Sequence, residues 1–465
     1  MPDSSIARRL LPVFAVLAIG VAVLLSVKAL EEAGSQPTVV FVVMDTLRAD
    51  RASLCGYARP TTPSLEKLVE LGASYACRSH SPSTWTLPSH ATFFTGLGSE
   101  EHQAGIRYGA KKLSWETVTP LDARYPTLAE EMAARGYQTL LLSGNPVVSE
   151  ESGLTRGFAH AVVAQTYPEM HGHRLAQRLK LILHYLALDR DKPLFVFINI
   201  ADPHSPWRAI PPGLGFLPAR AAMTPNPQRR RFEAGELTDA EAERWLSHLS
   251  DVYDYSVLRA DRSLAATLEV LEADGWLERG YRLVVTSDHG EYLGEHQMVE
   301  HGRRFFYEPV TRVPLVYLST EGQIELPEDV PSSVAHSLVL DGALPEVLPP
   351  NVASVFRNGP ASADSTLPCS LSTAALWVGE SKLVADQGQV FSYELSRDPN
   401  EEQPIPAGDH PAAAELLEHC RALDRAAATR PAPDAELSKE LSAQLKALGY
   451  LSDDEESPNP QAPGQ

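Results

Sequence analysis

Thr38 to Asp50 reads TVVFVVMDTLRAD, an unbroken β-branched and aromatic run that ends on an acidic residue. Interior strands of a parallel sheet, covered on both faces, have this pattern, and they deliver ligands at their carboxyl ends. Tyr281 to His289, YRLVVTSDH, repeats the device. Two further apolar runs, Gln138 to Ser143 and Pro193 to Ile200 (PLFVFINI), are separated from these by helical patterns. One helix starts at Thr62-Pro63, with Thr62 as cap, and stops before Gly72. Another covers Pro126 to Arg135 and is ended by Gly136, and longer ones cover His171 to Asp189 and Ala240 to Asp274. Helices alternating with apolar strands predict a doubly wound, mostly parallel α/β sheet flanked by helices. Cys369 to Leu395 reads instead as short antiparallel strands, with Lys382 on one of them.

Ser81 to Gly96, SPSTWTLPSHATFFTG, sets a compact polar group between apolar stretches. Thr86, two residues before Pro88, places a hydroxyl at the mouth of a helix, where backbone N–H groups face an anion. An ordinary turn and helix cap uses the same residue types. Asp45, Asp288 and His289 come from two strand ends and converge toward Thr86. Two carboxylates and an imidazole suit a divalent ion of the zinc or manganese kind.

These segments, together with GYARPTTPSLEKLVELG (Gly56 to Gly72), GYQTLLLSGN (Gly136 to Asn145) and ADPHSPW (Ala201 to Trp207), resemble the sulfatase branch of the alkaline phosphatase superfamily. SDHGEYLGEH (Ser287 to His296), EHGRRFFYEPVTRVPLV (Glu300 to Val316) and YELSRDPNEEQ from Tyr393 extend the resemblance over roughly residues 38 to 405. It implies an alkaline-phosphatase-like sheet with a small carboxyl-terminal antiparallel subdomain. It also implies a metal held by Asp45, Thr86, Asp288 and His289: one divalent ion per chain, zinc, manganese or calcium. His204 and His301 would act in catalysis, and His90 and Arg303 would bind the substrate. Asp202, two residues before His204, has the wrong spacing for a second metal site, and Asp261 is expected to be structural.

Sulfatases carry a Cys or Ser that is oxidised to formylglycine, with Pro two residues on and Arg four residues on. Thr86, Pro88 and His90 occupy those positions here, and a threonine cannot give that aldehyde. The Thr-x-Pro-x-His pattern is similar to that of nucleotide phosphodiesterases and of envelope phosphotransferases, in which a metal-bound Thr is the nucleophile. Where sulfatases usually have two adjacent Asp ligands, Asp45 is followed by Thr46.

A net charge of -20 over 465 residues excludes nucleic acid and an anionic membrane surface as the main partner. An anionic ester, from an envelope glycan or a lipid head group, would then have to be held by local cations. Cys55 and Cys77 fit either a disulfide of an oxidising compartment or buried free thiols. Arg8 and Arg9 precede the charge-free run Leu10 to Val27, and Glu31 and Glu32 follow it. That order predicts a cytoplasmic segment over 1–9 and an uncleaved single-pass anchor over 10–29, with the rest outside the cytoplasm. A cleaved signal peptide is the alternative. A catalytic domain over 38–350, a subdomain over 351–451 and a disordered acidic tail over 452–465 complete the expected organisation. The activity expected is hydrolysis of a sulfate or phosphate ester through Thr86. The alternatives are a phosphoethanolamine- or phosphoglycerol-type transferase and a non-catalytic binding protein.

Overall fold

The computed structural model describes residues 36–106, 118–164, 171–223, 228–302, 305–356, 367–369 and 372–429. The expected segments 1–9, 10–29 and 452–465, the carboxyl-terminal part of the expected subdomain, and Arg303 lie outside the described residues. Among the described residues no helix is long and apolar enough to cross a membrane.

The main sheet is built from β1 (Thr38–Met44), β2 (Ser74–His80), β3 (Gln138–Ser143), β4 (His160–Val163), β5 (Leu194–Ile200), β6 (Tyr281–Thr286), β7 (Arg312–Ser319) and β8 (Asp329–Pro331). Its order is β8-β2-β7-β6-β1-β5-β3-β4. All neighbours pair in parallel except β7, which runs antiparallel to both β6 and β2. Every residue of β1 is buried. Val39, Phe41 and Val43 pack into one apolar layer, while Val40, Val42 and Met44 pack into the other. A strand with two apolar faces has no polar alternation, which is why the run reads as continuous.

The first layer is closed by α2 (Thr86–Thr95), α3 (Leu128–Ala134) and α6 (Ala335–Asp341). The second is closed by α1 (Pro63–Glu70), α4 (His173–Tyr185) and the long α5 (Asp239–Ala273). Thr62 precedes α1 as expected, but its side chain does not cap the helix. Its hydroxyl accepts from the Leu54 N–H at 3.0 Å, and Asp261 of α5 takes the Ser64 and Leu65 N–H groups instead, at 2.9 to 3.1 Å. A cap supplied from another helix leaves no local trace in the sequence.

A second, antiparallel sheet follows: β9 (Val352–Phe356), β10 (Ser372–Val378), β11 (Ser381–Asp386), β12 (Gln389–Glu394) and β13 (Ile405–Pro406), with α7 (Ala413–Thr429) packed on it. It touches the segment from Ser81 to Gly96 directly. The Ser354 N–H donates to the Pro82 carbonyl at 3.0 Å, and Ser83 Oγ donates to the Ser354 carbonyl at 2.9 Å. Cys55 is joined to Cys77 and Cys369 to Cys420, so the free-thiol alternative does not hold.

Candidate active site

Parallel pairing of β1 and β6 aligns Val43 with Thr286, and two residues beyond that pair come Asp45 and Asp288. The sheet register therefore sets the two carboxylates side by side. Asp45, Asp288 and His289 are all wholly buried, and one ligand atom from each lies within 4.8 Å of the others. His289 Nε2 is 3.3 Å from Asp288 Oδ2 and 4.0 Å from Asp45 Oδ1. Its Nδ1 donates to the Gly290 carbonyl at 3.0 Å, which fixes the tautomer and leaves Nε2 with its lone pair.

The electrostatics of this group suit a cation. Burial and then the charge of Asp45 push Asp288 well above the usual carboxylate range. Burial opposes ionisation of Asp45 too, but His204, His289 and the Asn145 amide bring it below its ordinary value. Burial, helped by His301, drives the His289 imidazole well below its ordinary value, so it stays neutral. Asp45 Oδ1, Asp288 Oδ2 and His289 Nε2 are each buried without a hydrogen-bond partner. Three orphaned acceptors facing one another are costly in an apolar interior and fit a divalent ion that would bind all three. Among the described residues this is the one such group.

Thr86 opens α2, so the hydroxyl stands at a helix amino terminus as expected. Asn145 Nδ2 lies 3.2 Å from Thr86 Oγ1 and 2.7 Å from Asp45 Oδ2. Asn199 Nδ2 donates to the same Asp45 oxygen at 3.1 Å. Neither asparagine stood out as a site residue in the sequence. The available signals were Asn199 as the polar residue in PLFVFINI and Asn145 just past the end of β3.

His204 Nδ1 donates to the Ser205 carbonyl at 2.6 Å, and its ring lies 4.9 Å from that of His301. The His301 ring in turn lies 4.3 Å from that of His289, so the structure brings all three histidines together. His90, the expected substrate contact, lies beside the site, with its Nδ1 3.6 Å from Asp288 Oδ2. It is wholly buried one turn into α2, with Nδ1 donating to the Thr86 carbonyl at 2.9 Å and its ring edge-on to Phe93, Phe94 and Phe197. Burial lowers its imidazole to about 4. It braces the helix beneath the carboxylates, because a helix turns a residue four positions on back under its first turn.

Asp202 accepts from the Gly172 N–H with both oxygens, at 3.1 and 2.8 Å, and from Arg259 Nε at 2.9 Å. These bonds account for Asp202 as a structural residue. Between His204 and α5, Arg220 is paired with Asp251, and Arg229 with Glu300.

The sequence profile of the sulfatase family matches residues 37–338. N-acetylglucosamine-6-sulfatase of Capra hircus is 23% identical over 344 residues, which cover 63% of this chain and 57% of the goat protein. Among solved structures, the phosphonate monoester hydrolase of Silicibacter pomeroyi superposes with a TM-score of 0.59 at 18% identity, covering 85% of this chain and 96% of that one. The phosphonate monoester hydrolase of Agrobacterium radiobacter gives 0.58 at 19% identity, covering 84% and 96%. Profile, sheet order and the paired strand-end carboxylates agree that the chain belongs to the sulfatase family of the alkaline phosphatase superfamily.

Proposed function

We propose that this chain is a metal-dependent hydrolase of phosphate or sulfate esters with Thr86 as its nucleophile. The observation that carries the reading is the Asn145 amide, whose one nitrogen bonds both Thr86 Oγ1 and Asp45 Oδ2 and so joins the hydroxyl to the acidic triad. A divalent ion held by Asp45, Asp288 and His289, with Thr86 beside it, would favour the alkoxide of a hydroxyl that is otherwise a poor nucleophile at neutral pH.

Thr86 Oγ1 attacks phosphorus or sulfur after losing its proton to solvent. The new ester bond forms as the bond to the leaving alcohol breaks, and the electron pair departs with that oxygen, which takes a proton from His301 or His204. Water then attacks the Thr86 ester and gives a proton back to the histidine, and Thr86 leaves as the alkoxide that entered. Backbone N–H groups in the first turn of α2 stabilise charge on the non-bridging oxygens.

The goat relative's name points to a sugar sulfate and the structural neighbours' names to a phosphonate ester, so the substrate class is an anionic ester. A threonine without an aldehyde favours phosphorus. The two disulfides support a location outside the cytoplasm, as the expected anchor does.

The test uses the purified full chain loaded separately with zinc, manganese or calcium. Aryl sulfate, aryl phosphate, bis-aryl phosphate and an aryl phosphonate monoester are assayed beside Thr86→Ala. Turnover reduced about 10³-fold or more in Thr86→Ala is expected. Turnover that survives the substitution overturns the nucleophile assignment. Turnover that appears only when an acceptor alcohol is added makes the chain a transferase.

A further inference from the structure

Glu291 stands two residues beyond His289, wholly buried, and no step above uses it. Its Oε1 lies 3.1 Å from His301 Nδ1. Its backbone is held on both sides. The Glu291 N–H donates to the Pro309 carbonyl at 3.1 Å, and the Glu291 carbonyl accepts from Arg48 Nη1 at 2.9 Å. Arg48 is itself fixed by Asp50 and Glu295. His301 is anchored from its other side, because the N–H of Gly302 donates to the carbonyl of Thr84, two residues before the proposed nucleophile.

We propose that Glu291 is a positioning residue for His301: its carboxyl group grips Nδ1, so that the ring turns Nε2 to the alcohol oxygen that leaves phosphorus or sulfur as Thr86 attacks. An imidazole held through one nitrogen can work only through the other, and a carboxyl partner fixes which nitrogen that is. The ring packs at 4.3 Å against His289 and 4.9 Å against His204, so the orientation set by Glu291 is the one presented at the acidic triad. Glu291 and His301 belong to no described group of three ligand residues, which separates the pair from a second metal site.

This inference rests on the proposed hydrolase reading, and its test separates the two. Glu291→Ala, Glu291→Gln, His301→Ala and the Glu291→Ala/His301→Ala double variant are made in the metal-loaded full chain, with Thr86→Ala as control. Their kcat/KM is measured with aryl esters whose leaving phenols span several pKa units, and metal content is determined for each.

Glu291→Ala is expected to lose about 10- to 100-fold with poor leaving groups and much less with good ones. The double variant is expected to fall within about twofold of His301→Ala. Losses that add, or a loss equal for all leaving groups, overturn the positioning role, as does a metal equivalent lost in Glu291→Ala. Retained turnover in Thr86→Ala overturns the nucleophile while leaving the cycle readable. Independently of activity, the imidazole nitrogen shifts of His301 are expected to change in Glu291→Ala and to return toward the parent values in Glu291→Gln. Unchanged shifts in Glu291→Ala sink the proposal.

Discussion

Asn145 makes one amide nitrogen serve both the hydroxyl and the acidic side of the site. Deleting that amide leaves Asp45 Oδ2 with the longer bond from Asn199 and removes a donor that ties Thr86 Oγ1 to the triad. Asn145→Ala is therefore expected to lower kcat by about 10²-fold on whichever ester is turned over, with bound metal retained. A kcat unchanged within a factor of three would mean that the amide only fills space. Asp45, Asp288 and His289 were legible in the sequence because each ends or follows an apolar strand run, where a polar residue has few structural reasons to be. Asn145 and Glu291 were not, because an amide or carboxyl outside such a run looks like any loop residue until a partner is in view.

At the level of elements, α4 and α5 are tied through the loop that carries His204. Asp202 takes the Gly172 N–H just before α4 and the Arg259 side chain on α5, and His171 lies buried beside this junction. Burial pushes the His171 imidazole down to about 4, against the attraction of Asp202 and with repulsion from Arg259, Arg208 and His204. In the unfolded chain the same ring titrates near about 6.5. The unfolded state thus takes up the proton first, and stability present above about pH 6.5 is lost as the pH falls toward about 4. In urea unfolding at pH 7 and pH 5, His171→Gln is expected to lose less stability on acidification than the parent, by roughly 1 to 2 kcal/mol. Equal losses would remove His171 from the acid limb. Most elements here were readable from local chemistry, as with the Gly136 stop that follows α3. The cap of α1 was not, because Asp261 reaches it from almost 200 residues away.

Across the whole molecule, one buried lysine helps tie the second sheet to the segment that leads into β7. Lys382 of β11 sends its ammonium to Glu401 and to the Phe306 carbonyl, with Glu308 Oε1 3.7 Å away and the Trp377 ring 5.1 Å beneath it. Lys382→Met leaves Glu401 buried without its cation and is expected to cost about 3 to 5 kcal/mol by thermal or denaturant unfolding. Adding Glu401→Gln is expected to recover part of that loss; no recovery would mean that packing, and not charge, holds the sheets together. Because β9 carries the bonds to Pro82 and Ser83, loosening this sheet is a route to disturbing Thr86 from outside the site. The sequence by itself determined the parallel sheet, its strand-end carboxylates and the threonine at a helix mouth. Hydrophobic period and helix-end chemistry are local, and local patterns survive in a linear string. Only the tertiary structure decided that His90 bonds the Thr86 carbonyl within α2, that Asp202 is spent on Gly172 and Arg259, that the cysteines pair, and that Glu291 comes within reach of His301. Each of those depends on which distant groups a side chain meets once the sheet has set its register, and no spacing along the chain records that.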